Sequence, residues 1–155
     1  MIDVGAKVPA FKLPTDAEEM ISLAGLKGQP FVLFFYPKDD TSGCTKEAIA
    51  FTEHAPEFRK IGTKIFGVSP DSVASHQKFK TKHDLGVTLI ADEERTLAEA
   101  FGVWVEKSMY GRKYMGIERS TFLIDGSGKV VEAWRKVKVA GHAEKVLAAA
   151  QARTP

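Results

Sequence analysis

The sequence contains a single cysteine, Cys44, among its 155 residues. One thiol cannot form an intramolecular disulfide, which excludes the disulfide-stapled class of secreted domains. It also excludes zinc ribbons, Cys-x-x-Cys redox motifs and iron–sulfur sites, because each of these needs several thiolates. Any cysteine chemistry in this chain therefore depends on one sulfur atom.

The chain also lacks a long apolar run and an excess of one charge. Its longest apolar run, residues 31–36, is far shorter than the roughly 20 residues that span a bilayer. Lys and Arg number 22 against 20 Asp and Glu, and this near balance argues against binding to nucleic acid. Residues 1–7 lack the charged and apolar segments of a secretion signal. We therefore expect a soluble, cytoplasmic protein without a membrane or nucleic-acid partner.

What is present is the composition of an ordinary globular protein, with 44% hydrophobic and 27% charged residues. The length and the absence of linkers or repeats predict one domain over residues 1–155. Strand-like and helix-like segments alternate. Strands are predicted at residues 31–36, 64–69, 87–91, 120–124 and 129–134. Helices are predicted at residues 43–61, 70–84, 92–101 and 141–152.

Two local features refine this pattern. Pro56 is expected to kink or divide the first helix. Asp125-Gly126-Ser127-Gly128 predicts a hairpin between the last two strands. Parallel crossover units followed by an antiparallel pair predict an α/β fold with a central mixed sheet and helices on both faces. Several α/β folds share this order of elements.

Cys44 lies in the first turn of the first predicted helix, where unpaired backbone N–H groups and the helix dipole favour a thiolate. An ordinary thiol, with a pKa of about 8.5, is mostly protonated at pH 7, and making the thiolate dominant needs about 3–4 kcal/mol. A helix terminus supplies about 0.3–2 kcal/mol. A reactive thiol would therefore need a cation from elsewhere in the chain. A small buried hydrophobe is the alternative interpretation, and the residues alone leave both open.

Three segments of the sequence resemble a known family. The spacing Pro37-x-x-x-Thr41-x-x-Cys44 lies within a longer motif over residues 35–48, and residues 67–72 and 114–125 follow it in order. Together they resemble the peroxiredoxins, in particular the bacterioferritin-comigratory protein or peroxiredoxin Q subfamily. The resemblance extends from about residue 5 to residue 147.

This resemblance implies a thioredoxin-like fold and a thiol-dependent peroxidase that reduces hydrogen peroxide and small organic hydroperoxides through a cysteine sulfenic acid. At the matching positions, Cys44 is the peroxidatic nucleophile and Arg119 is the required cation. Thr41 supplies a hydroxyl to the peroxide, and Pro37 shields the pocket from water. No metal, haem or flavin is implied. Without the resemblance, Arg119 would be interpreted as a solvated strand-edge charge, Thr41 as a helix N-cap and Pro37 as a strand terminator.

The sequence departs from many members of the subfamily, which carry a second, resolving cysteine. The two positions where it commonly occurs are Ile49 and Lys80 in this chain. The sequence therefore resembles a one-cysteine variant, whose sulfenic acid must react with an external thiol, react with Cys44 of a second molecule or oxidise further to sulfinic acid. Thioredoxin, glutaredoxin and glutathione are all open as reductants, and the resemblance implies a monomer or a weak dimer.

Two other functions compete with a peroxidase. The first is a non-catalytic redox sensor or holdase, in which oxidation of Cys44 controls an interaction. The second is a thioredoxin-like disulfide reductase, which the missing Cys-x-x-Cys argues against.

The remaining candidates for functional residues are the four histidines and two aromatic residues. All four histidines are expected on the surface: His54, His76, His83 and His142. His76 and His83 share a helix face but lie two turns apart, which is too far to share one metal ion. Trp104 and Tyr110 are expected either to line the approach to the site or to pack in the core or against another copy.

Overall fold

The structure, a computed structural model, describes residues 2–153. The strands are β1 (Lys12–Pro14), β2 (Met20–Ser22), β3 (Phe31–Phe35), β4 (Lys64–Ser69), β5 (Thr88–Ala91), β6 (Trp104–Met109), β7 (Arg112–Ile117), β8 (Ser120–Ile124) and β9 (Val130–Trp134). The α-helices are α1 (Ser42–Lys60), α2 (Val73–His83), α3 (Thr96–Ala100) and α4 (His142–Ala152).

A five-stranded mixed sheet forms the centre of the fold, in the order β5-β4-β3-β8-β9. Strands β3, β4 and β5 run parallel, whereas β8 is antiparallel to β3 and β9 is antiparallel to β8. All five residues of β3 are buried, as expected for a central strand covered on both faces. The predicted α/β fold with a mixed central sheet is confirmed.

Two hydrophobic clusters cover the two faces of this sheet. One contains side chains from α1, α2 and α4; the other contains α3 and the segment before β3. Phe34 of β3 stacks on Phe51 of α1 with ring centroids 4.6 Å apart and an interplanar angle of 13°. This buried aromatic pair fixes α1, which carries Cys44, against the sheet.

The helices differ from the prediction at three places. The helix α1 continues through Pro56, so the expected division does not occur. The second helix begins at Val73 rather than at residue 70, because the Ser72 side chain caps it by accepting a hydrogen bond from the N–H of Ser75. The third helix begins at Thr96 rather than at residue 92, because the Asp92 carboxylate accepts hydrogen bonds from the N–H groups of Leu97 and Ala98.

Two antiparallel hairpins were not predicted: β1–β2, and β6–β7, which is a separate two-stranded sheet. Tyr110 and Gly111 join β6 to β7, and both have positive φ angles, of 52° and 78°. A two-residue turn with both φ angles positive is typical of a tight hairpin. None of the helices that the structure describes is long and apolar enough to cross a bilayer.

The expectation of surface histidines is wrong for two of the four. His76 is fully buried and His142 is 4% exposed. Nε2 of His142 lies 2.7 Å from the Thr121 hydroxyl. Burial, together with the positive charges of Lys145 and Arg119, lowers the pKa of His142 to about 4. A buried imidazole that hydrogen-bonds a hydroxyl can therefore remain neutral and form part of the core.

We expect His142 to make the stability of the fold sensitive to acid. Its pKa is near 6.5 in the unfolded chain and about 4 in the folded one, so between these values the unfolded chain binds more protons. Stability is therefore lost as the pH falls from about 6.5 towards 4. Urea unfolding at several pH values should show a smaller loss for His142→Gln than for the wild type. Equal losses in both proteins would contradict this assignment.

Candidate active site

The candidate site lies where β3 ends and α1 begins. Pro37 follows the end of β3, and the chain continues through residues 38–41 before α1 starts at Ser42. The first hydrogen bond of the helix joins the N–H of Thr45 to the carbonyl of Thr41, at 2.8 Å. The preceding N–H groups, including that of Cys44, have no partner within the helix. Cys44 thus lies at the positive end of α1, as predicted.

Arg119 is brought to Cys44 from 75 positions further along the chain. Its Nη2 atom lies 3.2 Å from the Cys44 sulfur. Cys44 is 1% exposed and the Arg119 side chain is 17% exposed, so the contact is largely shielded from water. The structure therefore places the predicted nucleophile and the predicted cation together.

Arg119 directly precedes the strand β8. It lies in the two-residue link between β7 and β8. A Cβ atom added to Gly43 would come within 3.2 Å of Nη2 of Arg119. The glycine before Cys44 therefore leaves the space that the guanidinium occupies.

Glu47 is a member of the site that the sequence analysis missed. Its Oε1 atom accepts a hydrogen bond from Nη1 of Arg119 at 2.7 Å, and its side chain is 1% exposed. Its Oε2 atom has no hydrogen-bond partner within residues 2–153. Glu47 follows Cys44 by three residues, which places both on one face of α1. This spacing was the signal that could have identified it.

In this pair, burial and the attraction between opposite charges act against each other. Burial raises the pKa of Glu47 to about 7, although the positive charge of Arg119 acts in the opposite direction. For Arg119, burial acts to lower the pKa, but the negative charges of Glu47 and Cys44 outweigh it and raise the pKa above its usual range. The guanidinium therefore stays charged, whereas the Glu47 carboxyl changes its charge near neutral pH.

Thr41 and Pro37 lie beside the site without direct contact to the sulfur. The Thr41 hydroxyl donates a hydrogen bond to the carbonyl of Lys38 at 2.8 Å, and the side chain is exposed. Thr41 occupies the N-cap position of α1 but makes no side-chain capping bond. Pro37 is half-buried. The roles of both residues in catalysis stay predictions.

A buried polar network holds the loop before Cys44. Asp39 accepts hydrogen bonds from the hydroxyls of Tyr36 at 2.6 Å and Ser75 at 2.8 Å. Its Oδ2 atom also lies 2.8 Å from Nδ1 of His76, whose Nε2 lies 2.9 Å from the carbonyl of Ile90. Burial, reinforced by the charge of Asp39, raises the pKa of Tyr36 well above its ordinary value. The network ties the loop to α2 and β5.

Three residues of this region could in principle ligate a metal ion. One atom from each of Asp39, Asp71 and His76 lies within 4.8 Å of the other two. However, these atoms already bond within the protein: Asp39 to His76, and Asp71 to the N–H of Asp39 and the hydroxyl of Ser69. These hydrogen bonds anchor the loop that precedes Cys44.

The two positions of a resolving cysteine have structural roles here. Ile49 packs against the hydrophobic cluster of α1. Lys80 of α2 forms an ion pair of 2.8 Å with Asp16. Their side chains therefore link parts of the fold and offer no sulfur to Cys44.

Trp104 and Tyr110 have different surroundings in the structure. Trp104 is half-buried beneath the guanidinium of Arg95, which lies 4.7 Å from the ring centroid. It also packs against the second hydrophobic cluster. Tyr110 is 98% exposed at the tip of the β6–β7 hairpin.

Comparison with known proteins gives a consistent result. Residues 4–133 match the AhpC/TSA family. Peroxiredoxin Bcp of Bacillus subtilis is 49% identical over 146 residues, which cover 94% of this chain and 93% of the relative. Peroxiredoxin Q of Xanthomonas campestris superposes with a TM-score of 0.89 at 49% identity, covering 92% of this chain and 90% of the other. A Cys-to-Ser mutant of PrxQ from Xylella fastidiosa gives a TM-score of 0.93 at 40% identity, over 98% and 97% of the two chains.

These matches extend over most of both chains, and the solved structures have the thioredoxin fold of peroxiredoxins. They agree with the fold described above. The chain therefore belongs to the AhpC/TSA family, and within it to the Bcp or peroxiredoxin Q group of thiol-dependent peroxidases.

Proposed function

We propose that this protein reduces hydrogen peroxide and small organic hydroperoxides through a sulfenic acid on Cys44, which an external thiol then reduces. The observation that carries this proposal is the 3.2 Å contact between Nη2 of Arg119 and the buried Cys44 sulfur. The bacterioferritin comigratory protein of X. campestris, 48% identical to this chain, is described as having alkyl peroxide reduction activity. That description supports organic hydroperoxides as one class of substrate.

In the first step, the Cys44 thiolate attacks one oxygen of the peroxide. A sulfur–oxygen bond forms and the oxygen–oxygen bond breaks. The departing oxygen takes up a proton and leaves as water or an alcohol, and Cys44 is oxidised to the sulfenic acid. Negative charge moves from the sulfur to the departing oxygen during this step. Arg119 is already fixed beside the sulfur, so it can stabilise that charge without reorganising.

The first turn of α1 supplies the other polar groups. The N–H of Cys44 has no partner within the helix and can donate to a peroxide oxygen. The Thr41 hydroxyl donates to the Lys38 carbonyl, so its oxygen remains able to accept the O–H of a hydroperoxide. We assign Pro37 to the exclusion of water at the end of β3.

Glu47 positions Arg119 and modulates its effect on the sulfur. The hydrogen bond to Nη1 leaves Nη2 directed at Cys44. When the Glu47 carboxyl ionises near pH 7, its negative charge offsets part of the positive charge beside the thiolate. Glu47 is therefore a positioning residue whose charge state sets how strongly Arg119 favours the thiolate.

Recycling requires a thiol from outside the chain, because Cys44 is the only cysteine. An external thiolate attacks the sulfenic sulfur and forms a mixed disulfide, from which a second thiol releases reduced Cys44. Thioredoxin, glutaredoxin and glutathione are the candidate donors. A redox sensor with the same site would stop after one oxidation.

Substitutions at Cys44 and Arg119 test the nucleophile and its activator. We expect Cys44→Ser to abolish peroxide consumption, and Arg119→Ala to slow the oxidation of Cys44 by about 10²–10³-fold, because a fixed cation is lost from the transition state. Stopped-flow measurement of Cys44 oxidation gives both rates. Arg112→Ala, which removes an exposed arginine from the β6–β7 hairpin, is the matched control. Full turnover by Cys44→Ser would disprove the proposal.

The pH dependence of Cys44 alkylation tests the role of Glu47. The Glu47 carboxyl gains its negative charge near pH 7, and this charge offsets Arg119 beside the sulfur. In the wild type, a step in the alkylation rate should accompany this ionisation, and Glu47→Gln should remove the step. Iodoacetamide rates between pH 4 and 9 measure it. Glu57→Gln, a change further along the same helix, should retain the step. A step that persists in Glu47→Gln would contradict the assigned role.

Turnover distinguishes a peroxidase from a sensor. With peroxide and a thiol donor in excess, we expect many moles of peroxide to be consumed per mole of protein. Mass spectrometry of quenched samples should show a mixed disulfide on Cys44. Consumption that stops at one equivalent, with no adduct from any candidate thiol, would favour the sensor.

A further inference from the structure

Lys107 lies on β6, on the hairpin that leads directly into Arg119. The register pairs Lys107 with Tyr114, and Val105 with Gly116. A Cβ atom added to Gly116 would lie 3.3 Å from Cδ and 3.6 Å from Cε of Lys107. The stem of the lysine therefore crosses the hairpin over a position without a side chain. This contact restrains the Lys107 side chain, which is half-buried. Glu106 and Ser108, its neighbours in the strand, are exposed.

The ammonium group of Lys107 has no counterion in contact. Within residues 2–153 it makes no hydrogen bond and no ion pair shorter than 4.0 Å. The neighbouring Lys113 differs, because it pairs with Glu106 at 3.6 Å and its side chain is 78% exposed. The ammonium of Lys107 is therefore available to an anion from outside the chain.

The electrostatics of Lys107 involve the catalytic pair. Burial lowers the pKa of Lys107, and the positive charge of Arg119 lowers it further. The negative charges of Cys44 and Glu118 act in the opposite direction. Lys107 therefore adds a positive charge to the hairpin that leads into Arg119.

We propose that Lys107 recruits a small, negatively charged thiol as the reductant of oxidised Cys44, using the unpaired ammonium that lies over Gly116 on the hairpin leading into Arg119. This inference rests on the proposed function, since it concerns the second half of that cycle. It names the class of donor, which the single cysteine leaves open.

The preference for an anion should be greatest after oxidation. The reduced site contains a thiolate that partly neutralises Arg119 and Lys107. The sulfenic acid that replaces it is uncharged, so oxidation raises the net charge of the site by one unit. An anionic donor is then attracted more strongly than it was before the reaction.

Two donor thiols are needed to return the sulfenic acid of Cys44 to a thiolate. The first thiolate attacks the Cys44 sulfur, a sulfur–sulfur bond forms, and the sulfur–oxygen bond breaks. The oxygen leaves as water after taking a proton from solvent. The second thiolate attacks the donor sulfur of the mixed disulfide, which releases the oxidised donor and the Cys44 thiolate.

A small donor fits the burial of the sulfur better than a folded one. Cys44 is 1% exposed and lies beneath a guanidinium that is 17% exposed. A thiol fixed on the surface of a protein would need the first turn of α1 to open. A thiol of a few atoms needs a much smaller displacement.

Three two-carbon thiols that differ only in their end group test this proposal: 2-mercaptoethanesulfonate, 2-mercaptoethanol and cysteamine. They carry a negative, a neutral and a positive end. Cys44 is first oxidised with one equivalent of hydrogen peroxide, and the rate of sulfenic acid loss is then measured for each thiol and corrected for its thiolate fraction. In the wild type, the sulfonate should react fastest and the amine slowest.

Lys107→Gln should slow the reaction of the sulfonate thiol about three- to tenfold and leave the neutral thiol within about twofold. Lys113→Gln removes the same charge from the same hairpin and should leave the order unchanged. Raising the ionic strength should reduce the rate differences among the three thiols in the wild type, because the Debye length shortens.

Two results would overturn the inference: equal effects of Lys107→Gln on all three thiols, or an effect on the sulfonate no larger than that of Lys113→Gln. The proposed function fails separately. If peroxide produces no sulfenic acid on wild-type Cys44, the peroxidase assignment is wrong. If sulfenic acid forms but reacts without a charge preference, only the role of Lys107 is wrong.

Discussion

The site depends on one guanidinium that bonds two groups at once. Nη1 of Arg119 is held by the buried Glu47 carboxyl, and Nη2 lies against the Cys44 sulfur. A long, flexible side chain would otherwise lose considerable entropy on being fixed beside a thiolate. The carboxyl orients it in advance, and the space left by Gly43 lets it approach the helix end. The rest of the fold serves to bring these three elements together.

That convergence relies on the sheet and on the helices that pack against one of its faces. The stacking of Phe34 on Phe51 fixes α1 and its first turn. The antiparallel pairing of β8 with β3 sets the residue that precedes β8, which is Arg119, at the end of the sheet where α1 begins. On the same face as α1, Asp39 and His76 of α2 hold the connecting loop. Sequence-distant groups thus meet because the central strand is shared.

Much of the sheet could be predicted from the sequence, and the site only in part. The buried strands are continuous apolar runs, and α1 shows a clear helical period, so their type and order were accessible. The β6–β7 hairpin was not, since its side chains are largely exposed and carry no core pattern. Its turn at Tyr110 and Gly111 was the available signal. The extent of α3 depended on the Asp92 carboxylate, whose hydrogen bonds no periodicity reports.

Within the site, Cys44 and Arg119 were predicted through the resemblance to a family, but the partner of Arg119 was not. A glutamate on an amphipathic helix is usually a surface charge, and only the structure shows Glu47 inside. His76 and His142 were misassigned for the same reason. A polar residue is expected outside unless its buried partner is known, and those partners, Asp39 and Thr121, lie far away in the sequence.

The ion pair between Lys80 and Asp16 has a bearing on the movement of the backbone during turnover. It fastens α2 to the segment before β2. Lys80 stands at one of the positions where many members of the subfamily carry a second cysteine, so α2 offers no sulfur to the nucleophile in this chain. In the proposed cycle the second sulfur arrives on a diffusing molecule, and the ion pair can persist throughout turnover.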